Sequence, residues 1–141
     1  MIVGFTAGAF DLLHAGHVFM LSDCKKQCDK LIVGLHTDPT LDRMNKNKPV
    51  QSVYERYIQL TSCKYIDSII PYSTEKDLEN MMATHSIHKR FVGEEYINTI
   101  ITGQENCLIR GIEIVYNKRM HNYSSSELRE RTAHEFRRQI F

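Results

Sequence analysis

The stretch from Ile2 to Leu35 constrains the fold more than any other part of the chain. Ile2 to Phe5 reads as a short buried strand, and Gly8 marks a turn. A helix follows from about Gly16 to Gln27, with Val18, Leu21 and Cys24 or Lys25 at its 3- to 4-residue rhythm. The apolar run Leu31-Ile32-Val33-Gly34-Leu35 is short enough to be a second strand. Strand, helix and strand in roughly 35 residues make a βαβ unit, whose strands pair in parallel with a right-handed crossover.

The rest of the chain repeats the alternation. Ser52 to Cys63 reads as a helix, with Tyr54 or Tyr57, Ile58 and Thr61 expected on one side. Ile66 to Pro71 reads as a strand, and Thr74 to His85 as a helix with Thr74 as N-cap and Asp77 three residues on. Arg90 to Val92 and Ile112 to Tyr116 complete five strands, and Ser124 to about Arg138 closes the chain as a helix capped by Ser124 or Ser125. This pattern predicts an α/β fold: a Rossmann-like, doubly wound, parallel five-stranded sheet with ligands at the carboxyl ends of its strands. Residues 1–141 form a single domain in this reading, because no repeat or low-complexity tract interrupts them and Pro39, Pro49 and Pro71 fall at element ends.

Charge narrows the partners. The 18 Lys+Arg against 17 Asp+Glu leave a formal charge of +1, so no global field exists to hold nucleic acid or an anionic membrane, and an anion site must be local. Arg129, Arg131, Arg137 and Arg138 alternate with Glu127, Glu130 and Glu135, which reads as a solvated helix face. No apolar stretch approaches the roughly 18 residues of a membrane span, and Met1 to Thr6 lack a basic segment before an apolar run. The expectation is a cytoplasmic protein without a signal peptide, its thiols Cys24, Cys28, Cys63 and Cys107 reduced.

Chemistry concentrates in Gly8-Ala9-Phe10-Asp11-Leu12-Leu13-His14-Ala15-Gly16-His17, between the first strand and the first helix. Two imidazoles and the free N–H groups of a helix start can converge there on one anion, and Gly16 admits a phosphate close to the backbone. Such donors stabilise charge on a phosphoryl group in transit. The same residues also suit a helix cap, or half of a metal site that nothing adjacent completes. Thr37 to Val50 is a long polar loop rich in Lys, Arg and Asn, a candidate lid whose cations equally suit a solvated loop. His36, His85, His88 and His134 show no comparable constellation and read as structural or surface residues.

The motif G-x-F-D-x-x-H-x-G-H resembles that of the cytidylyltransferase-like nucleotidyltransferases, and the similarity runs over nearly the whole chain. Leu31-Ile32-Val33 with His36-Thr37-Asp38, Tyr54-Glu55-Arg56, and Tyr65 to Pro71 resemble the family's second strand, the head of its second helix and its third strand. Arg119 followed by Ser124-Ser125-Ser126 resembles its nucleotide-holding element ahead of the last helix. The resemblance implies that an acceptor phosphate attacks the α-phosphorus of a nucleoside triphosphate, CTP above all, and that pyrophosphate leaves. His14, His17 and Lys46 would be catalytic. Gly8, Ala9, Phe10, Gly16, Gly93, Glu94, Glu95, Arg119, Ser124, Ser125 and Ser126 would meet the nucleotide along with both histidines. Asp11, Arg43, Lys46, Lys48 and Lys64 would meet the acceptor, for which glycerol 3-phosphate is the best guess.

It also implies Mg²⁺ bound mainly through the nucleotide phosphates, no metal site made by the protein alone, and a homodimer. An adenylyltransferase acting on a sugar phosphate, pantetheine phosphate or FMN, or a silent nucleotide-binding module, are the rival readings. Ala9, Arg43 or Met44, Lys64, Glu94-Glu95-Tyr96 and Met120-His121-Asn122-Tyr123 depart from the family pattern, so base and acceptor are less constrained than the chemistry.

Overall fold

A computed structural model describes residues 1–119 and 121–140. Five strands, β1 (Val3–Gly8), β2 (Lys30–His36), β3 (Ser68–Tyr72), β4 (Lys89–Gly93) and β5 (Glu113–Asn117), form one sheet in the order β3-β2-β1-β4-β5. Every neighbouring pair is parallel, with Val3 opposite Lys30 and Phe5 opposite both Ile32 and Arg90. The order reverses between β1 and β4, so a crevice opens beyond the carboxyl ends of those two strands.

Five helices cover the faces: α1 (Ala15–Lys26), α2 (Val53–Thr61), α3 (Glu75–Thr84), α4 (Gln104–Arg110) and α5 (Ser125–Ile140). Successive side chains of a strand point to opposite faces, and β2 serves both layers. Leu31, Val33 and Leu35 pack with Leu21 and Cys24 of α1, Leu60 of α2, and Phe91. Ile32 packs on the other face with Val3, Phe5, Leu78, Met81 and Met82 of α3, and Cys107 of α4. The four cysteines are free thiols, and burial pushes Cys24 up to about 12, far from a reactive thiolate.

The N-cap anticipated at Thr74, and a second at Ser52, form as hydrogen-bonded boxes. Thr74 accepts from the Asp77 N–H while Asp77 accepts from the Thr74 N–H, and Ser52 and Glu55 do the same for α2.

One expectation is corrected, and two features are additional to the sequence reading. On α2 the inward residues are Arg56 and Leu60, whereas Tyr54 is 72% exposed and Tyr57 and Ile58 also face out. The short helix α4 lies where the sequence reading assigned no element; it is bracketed by Gly103 and Gly111, both left-handed with φ of 77° and 70°, and its only buried residue is Cys107. The face of α5 is not simply solvated, because Arg129 leaves its helix to pair with Asp11 at 2.5 Å.

Candidate active site

The turn after β1 holds Phe10 and Leu12 in left-handed backbone, φ 51° each. Non-glycine residues seldom adopt this region, and its cost persists only where neighbours enforce it. Those neighbours are specific. Leu12 N donates to Gln51 Oε1 at 2.8 Å, and the buried Asp11 carboxylate accepts from Val50 N at 2.8 Å and Gln51 N at 2.9 Å besides pairing with Arg129. Burial pushes Asp11 up, but the Gln51 and Val50 N–H groups and Arg129 outweigh it and hold the carboxyl below its ordinary value. The Ser125 hydroxyl donates to the Asp11 carbonyl at 3.0 Å.

Arg56 anchors the same region from below, only 1% exposed. Its guanidinium donates to the carbonyls of Ala9 (2.9 Å), His36 (2.6 Å), Thr37 (2.5 Å) and Gln51 (3.2 Å). One side chain thereby fixes the turn after β1, the end of β2 and the start of α2. Its fixed fork of donors serves four carbonyls, of which the bond to His36 is fully buried.

The two motif histidines cap α1 with each other. His14 is the N-cap, its Nδ1 accepting from Gly16 N at 3.0 Å, and His17 Nδ1 accepts from His14 N at 3.2 Å. A ring nitrogen that accepts an N–H is unprotonated, so both imidazoles carry their proton on Nε2. The cap and the anion site, alternatives in the sequence, are compatible: Nδ1 serves the helix and Nε2–H is left for a ligand. The rings lie 4.0 Å apart, centroid to centroid, and Phe10 backs His17 at 5.5 Å.

Burial, with His14 beside it, pushes His17 down to about 4; burial, then His121 and Arg119, push His14 down too. Both are therefore neutral donors near pH 7. For stability the sign is adverse in acid, because below about pH 6.5 the unfolded chain takes up a proton that folded His17 refuses until about pH 4. This group alone should remove about 3 kcal/mol of stability between those values. In urea titrations His17→Gln should flatten the acid limb; an unchanged slope would mean that His17 titrates normally.

Around this pair the other expected residues fall unevenly. Gly8, Ala9, Phe10 and Gly16 line the turn and the first turn of α1; a Cβ on Gly8 would come within 3.3 Å of the Phe10 ring. Gly93 ends β4, and Glu94 and Glu95 form the 3₁₀ turn beyond it at the carboxyl edge. Glu94 Oε1 accepts from Arg119 N at 3.3 Å, and the Arg119 guanidinium donates to the Tyr123 carbonyl, so the β4 and β5 ends are tied together. Ser124 is the α5 cap, accepting from Glu127 N at 3.0 Å. Ser126 opens the exposed side of the first turn of α5.

Two placements correct the sequence reading. Asp11 is consumed by Arg129, Val50 and Gln51, so it positions the turn and is not free to meet an acceptor. Lys64 sits between α2 and β3, on the amino-terminal side of the sheet, with its ammonium over the Tyr65 ring, and so lies away from the site within this chain. Arg43 pairs with Glu75 at 3.2 Å, while Lys46 and Lys48 are exposed. The loop is pinned at both ends, by Asp42 to Glu75 N and by Val50 N and Gln51 N to Asp11, with residues 41–48 exposed between.

The sequence missed His121. A Cβ placed on Gly16 would stand 2.7 Å from Cε1 of His14 and 2.8 Å from Cε1 of His121, so a third imidazole reaches the head of α1. Met120 beside it lies outside the described residues.

Comparison with known proteins agrees with this geometry. The family described as Cytidylyltransferase-like matches residues 5–131. The bifunctional protein HldE of Caulobacter vibrioides is 34% identical over 127 residues, covering 89% of this chain and 26% of that protein. HldE of Paramagnetospirillum magneticum is 44% identical over 78 residues, 55% of this chain and 16% of its own length. The chain thus spans at most about a quarter of the length of these curated relatives.

Among solved structures, a lipopolysaccharide core biosynthesis protein from Thermoplasma volcanium aligns with TM-score 0.67 at 25% identity, covering 88% of this chain and 99% of that one. Pantothenate synthetase from Thermus thermophilus, at 11% identity and TM-score 0.63, covers 93% of this chain and 64% of its own and shares the fold. With the family match running from β1 into α5 and two imidazoles set at the head of α1, this chain belongs to the cytidylyltransferase-like family.

Proposed function

We propose that the chain transfers a nucleotidyl group from an amino-base nucleoside triphosphate to the phosphate of a small polyhydroxylated acceptor. The supporting observation is the pair of neutral imidazoles whose Nδ1 atoms are spent on the α1 cap, so that each ring presents an Nε2–H donor rather than a base. An acceptor phosphate needs no base, since it is already ionised. Its oxygen forms a bond to the α-phosphorus, the bond from that phosphorus to the bridging oxygen breaks, and pyrophosphate departs with the electron pair. The Nε2–H groups of His14 and His17 donate to the oxygens on which charge grows, without a covalent intermediate.

The heads of α1 and α5 would hold the triphosphate between them, with Ser124, Ser126 and Arg119 on the distal phosphates. Ser125 supports the turn instead, through its bond to the Asp11 carbonyl. Among the described residues no three His, Cys, Asp or Glu side chains gather to hold a metal ion, and the imidazoles present N–H donors. That donor set fits a Mg²⁺ carried by the phosphates, where it would offset their charge.

The carboxylates of Glu94 and Glu95 at the β4 end favour a base that donates there. Cytosine and adenine offer an exocyclic amine, as guanine does through its 2-amino group, whereas uracil has none. CTP with glycerol 3-phosphate is the leading pair. The likeness to the lipopolysaccharide core biosynthesis protein of Thermoplasma volcanium favours a second, an amino-base triphosphate with a phosphorylated sugar. A homodimer belongs to the same reading, with the outward Tyr54, Tyr57 and Ile58 as its apolar face.

The deciding experiment is pyrophosphate release measured for four nucleotides against glycerol 3-phosphate, sugar phosphates, pantetheine phosphate and FMN. Release with CTP or ATP and a polyol or sugar phosphate is expected. Nucleotide binding without release for any pair would make the chain a silent module.

The exposed middle of the 37–50 loop would close over the bound phosphates, with Lys46 as the cation that gains partners only then. Saturating CTP with Mg²⁺ should slow proteolysis within residues 41–48, and Lys46→Ala should lower kcat about tenfold or more. Unaltered cleavage and turnover would remove the lid from the mechanism.

A further inference from the structure

His121 comes from the segment between β5 and α5, yet its Cε1 edge and that of His14 close over the same point above Gly16. Its tautomer is fixed in the same way as theirs. Tyr123 N donates to His121 Nδ1 at 3.1 Å, which leaves the proton on Nε2, the other nitrogen flanking Cε1. Three imidazoles at one helix head therefore share one arrangement, Nδ1 tied to a backbone N–H and Nε2–H left over. The His121 ring is also held in orientation, stacked 5.8 Å from Phe19 at 25° and 5.6 Å from Tyr123 at 22°. It precedes the Ser124 cap by three residues and so stands between the head of α1 and the head of α5.

We propose that His121 is a third imidazole donor of this site, giving its Nε2–H to an oxygen of the departing pyrophosphate. The proposal rests on the nucleotidyl-transfer reading, with the triphosphate lying between α1 and α5. As the α-phosphorus leaves the bridging oxygen, charge builds on the β-phosphate, and an N–H fixed in place stabilises it. Phe19 and Tyr123 act as positioning residues, setting the ring plane. A donor placed there also lets inorganic pyrophosphate bind without the nucleoside.

Inorganic pyrophosphate and the nucleoside monophosphate serve as separate probes, titrated calorimetrically into the wild type, His121→Ala and His121→Gln. Glutamine places an amide nitrogen near the position of the imidazole Nε2 and cannot be protonated. His121→Ala should weaken pyrophosphate binding about tenfold or more, the loss of one hydrogen bond to a charged group, and leave the monophosphate within about twofold. His121→Gln should recover most of that loss. Equal losses for both probes, no loss for either, or a glutamine variant no better than alanine would overturn the proposal. A wild type that binds neither probe and releases no pyrophosphate would instead indict the transfer reading beneath it.

Discussion

Replacing His17 by alanine should lower kcat at least about 10²-fold while changing the nucleotide Kd by less than about threefold. The asymmetry follows from the geometry. In the proposed reaction the Nε2–H of His17 would meet charge that is largest in the transition state, whereas the triphosphate in the ground state would be held by many donors at the heads of α1 and α5. His17 Nδ1 also accepts from His14 N, so alanine removes half of the α1 cap, a loss of about 1 kcal/mol in stability. His17→Gln separates the two contributions, because an amide can replace a hydrogen bond without reproducing the imidazole. Equal losses in binding and turnover, measured by titration and steady-state kinetics on folded protein, would make His17 a binding residue; wild-type turnover would remove it from the reaction.

The largest stability effect should come from Arg56. Substituting methionine keeps the aliphatic stem but strips every donor from the carbonyls of Ala9, His36, Thr37 and Gln51. Hydrogen bonds to a charged group contribute about 1.5–3 kcal/mol each and do not add, and burying unpaired carbonyls costs more. Arg56→Met should therefore lose about 3–5 kcal/mol in urea unfolding, a large part of the total stability of a domain this size. Arg56→Lys should recover little, since one ammonium on a flexible stem cannot span four carbonyls around a planar fork. A loss below about 1 kcal/mol for methionine would mean that water replaces the guanidinium at no penalty, and that the turn after β1 is held by Asp11 alone.

Local signals carried most of the fold. The β1–α1–β2 unit, the capping boxes of α2 and α3 and the apolar core of β2 are written in residues three or four apart or in short runs, and the structure follows them. What the sequence could not display depends on contacts across the chain. Tyr54, Tyr57 and Ile58 share one side of α2 as their spacing suggests, but that side faces out, and the inner side carries Arg56 as donor to backbone carbonyls. Helix α4 has too few turns to show a period and is defined by its flanking left-handed glycines. Arg129 looked like one of several balanced surface charges, and only the return of α5 to the turn after β1 brings it to Asp11, 118 positions away.

The site divides the same way. His14 and His17 are neighbours in sequence and were legible as a pair, although the division of labour between Nδ1 and Nε2 needed the geometry of the α1 cap. His121 shares no spacing with them and is joined to them only by the path from β5 to α5 over Gly16. Lys64 was assigned by alignment with a motif, and the direction of the parallel strands puts it on the opposite side of the sheet.

The central claim is a single in-line displacement at the α-phosphorus, helped by neutral imidazole donors and with no enzyme-bound intermediate. The stereochemical course of the reaction tests it most directly, using a nucleoside triphosphate made chiral at the α-phosphorus by sulfur substitution. One displacement inverts the configuration, and the account predicts a product of inverted configuration with any acceptor that supports turnover. Retention would require two displacements through a covalent nucleotidyl-enzyme, with one of His14, His17 or His121 as nucleophile, and would contradict the assignment of their Nε2 atoms as protonated donors.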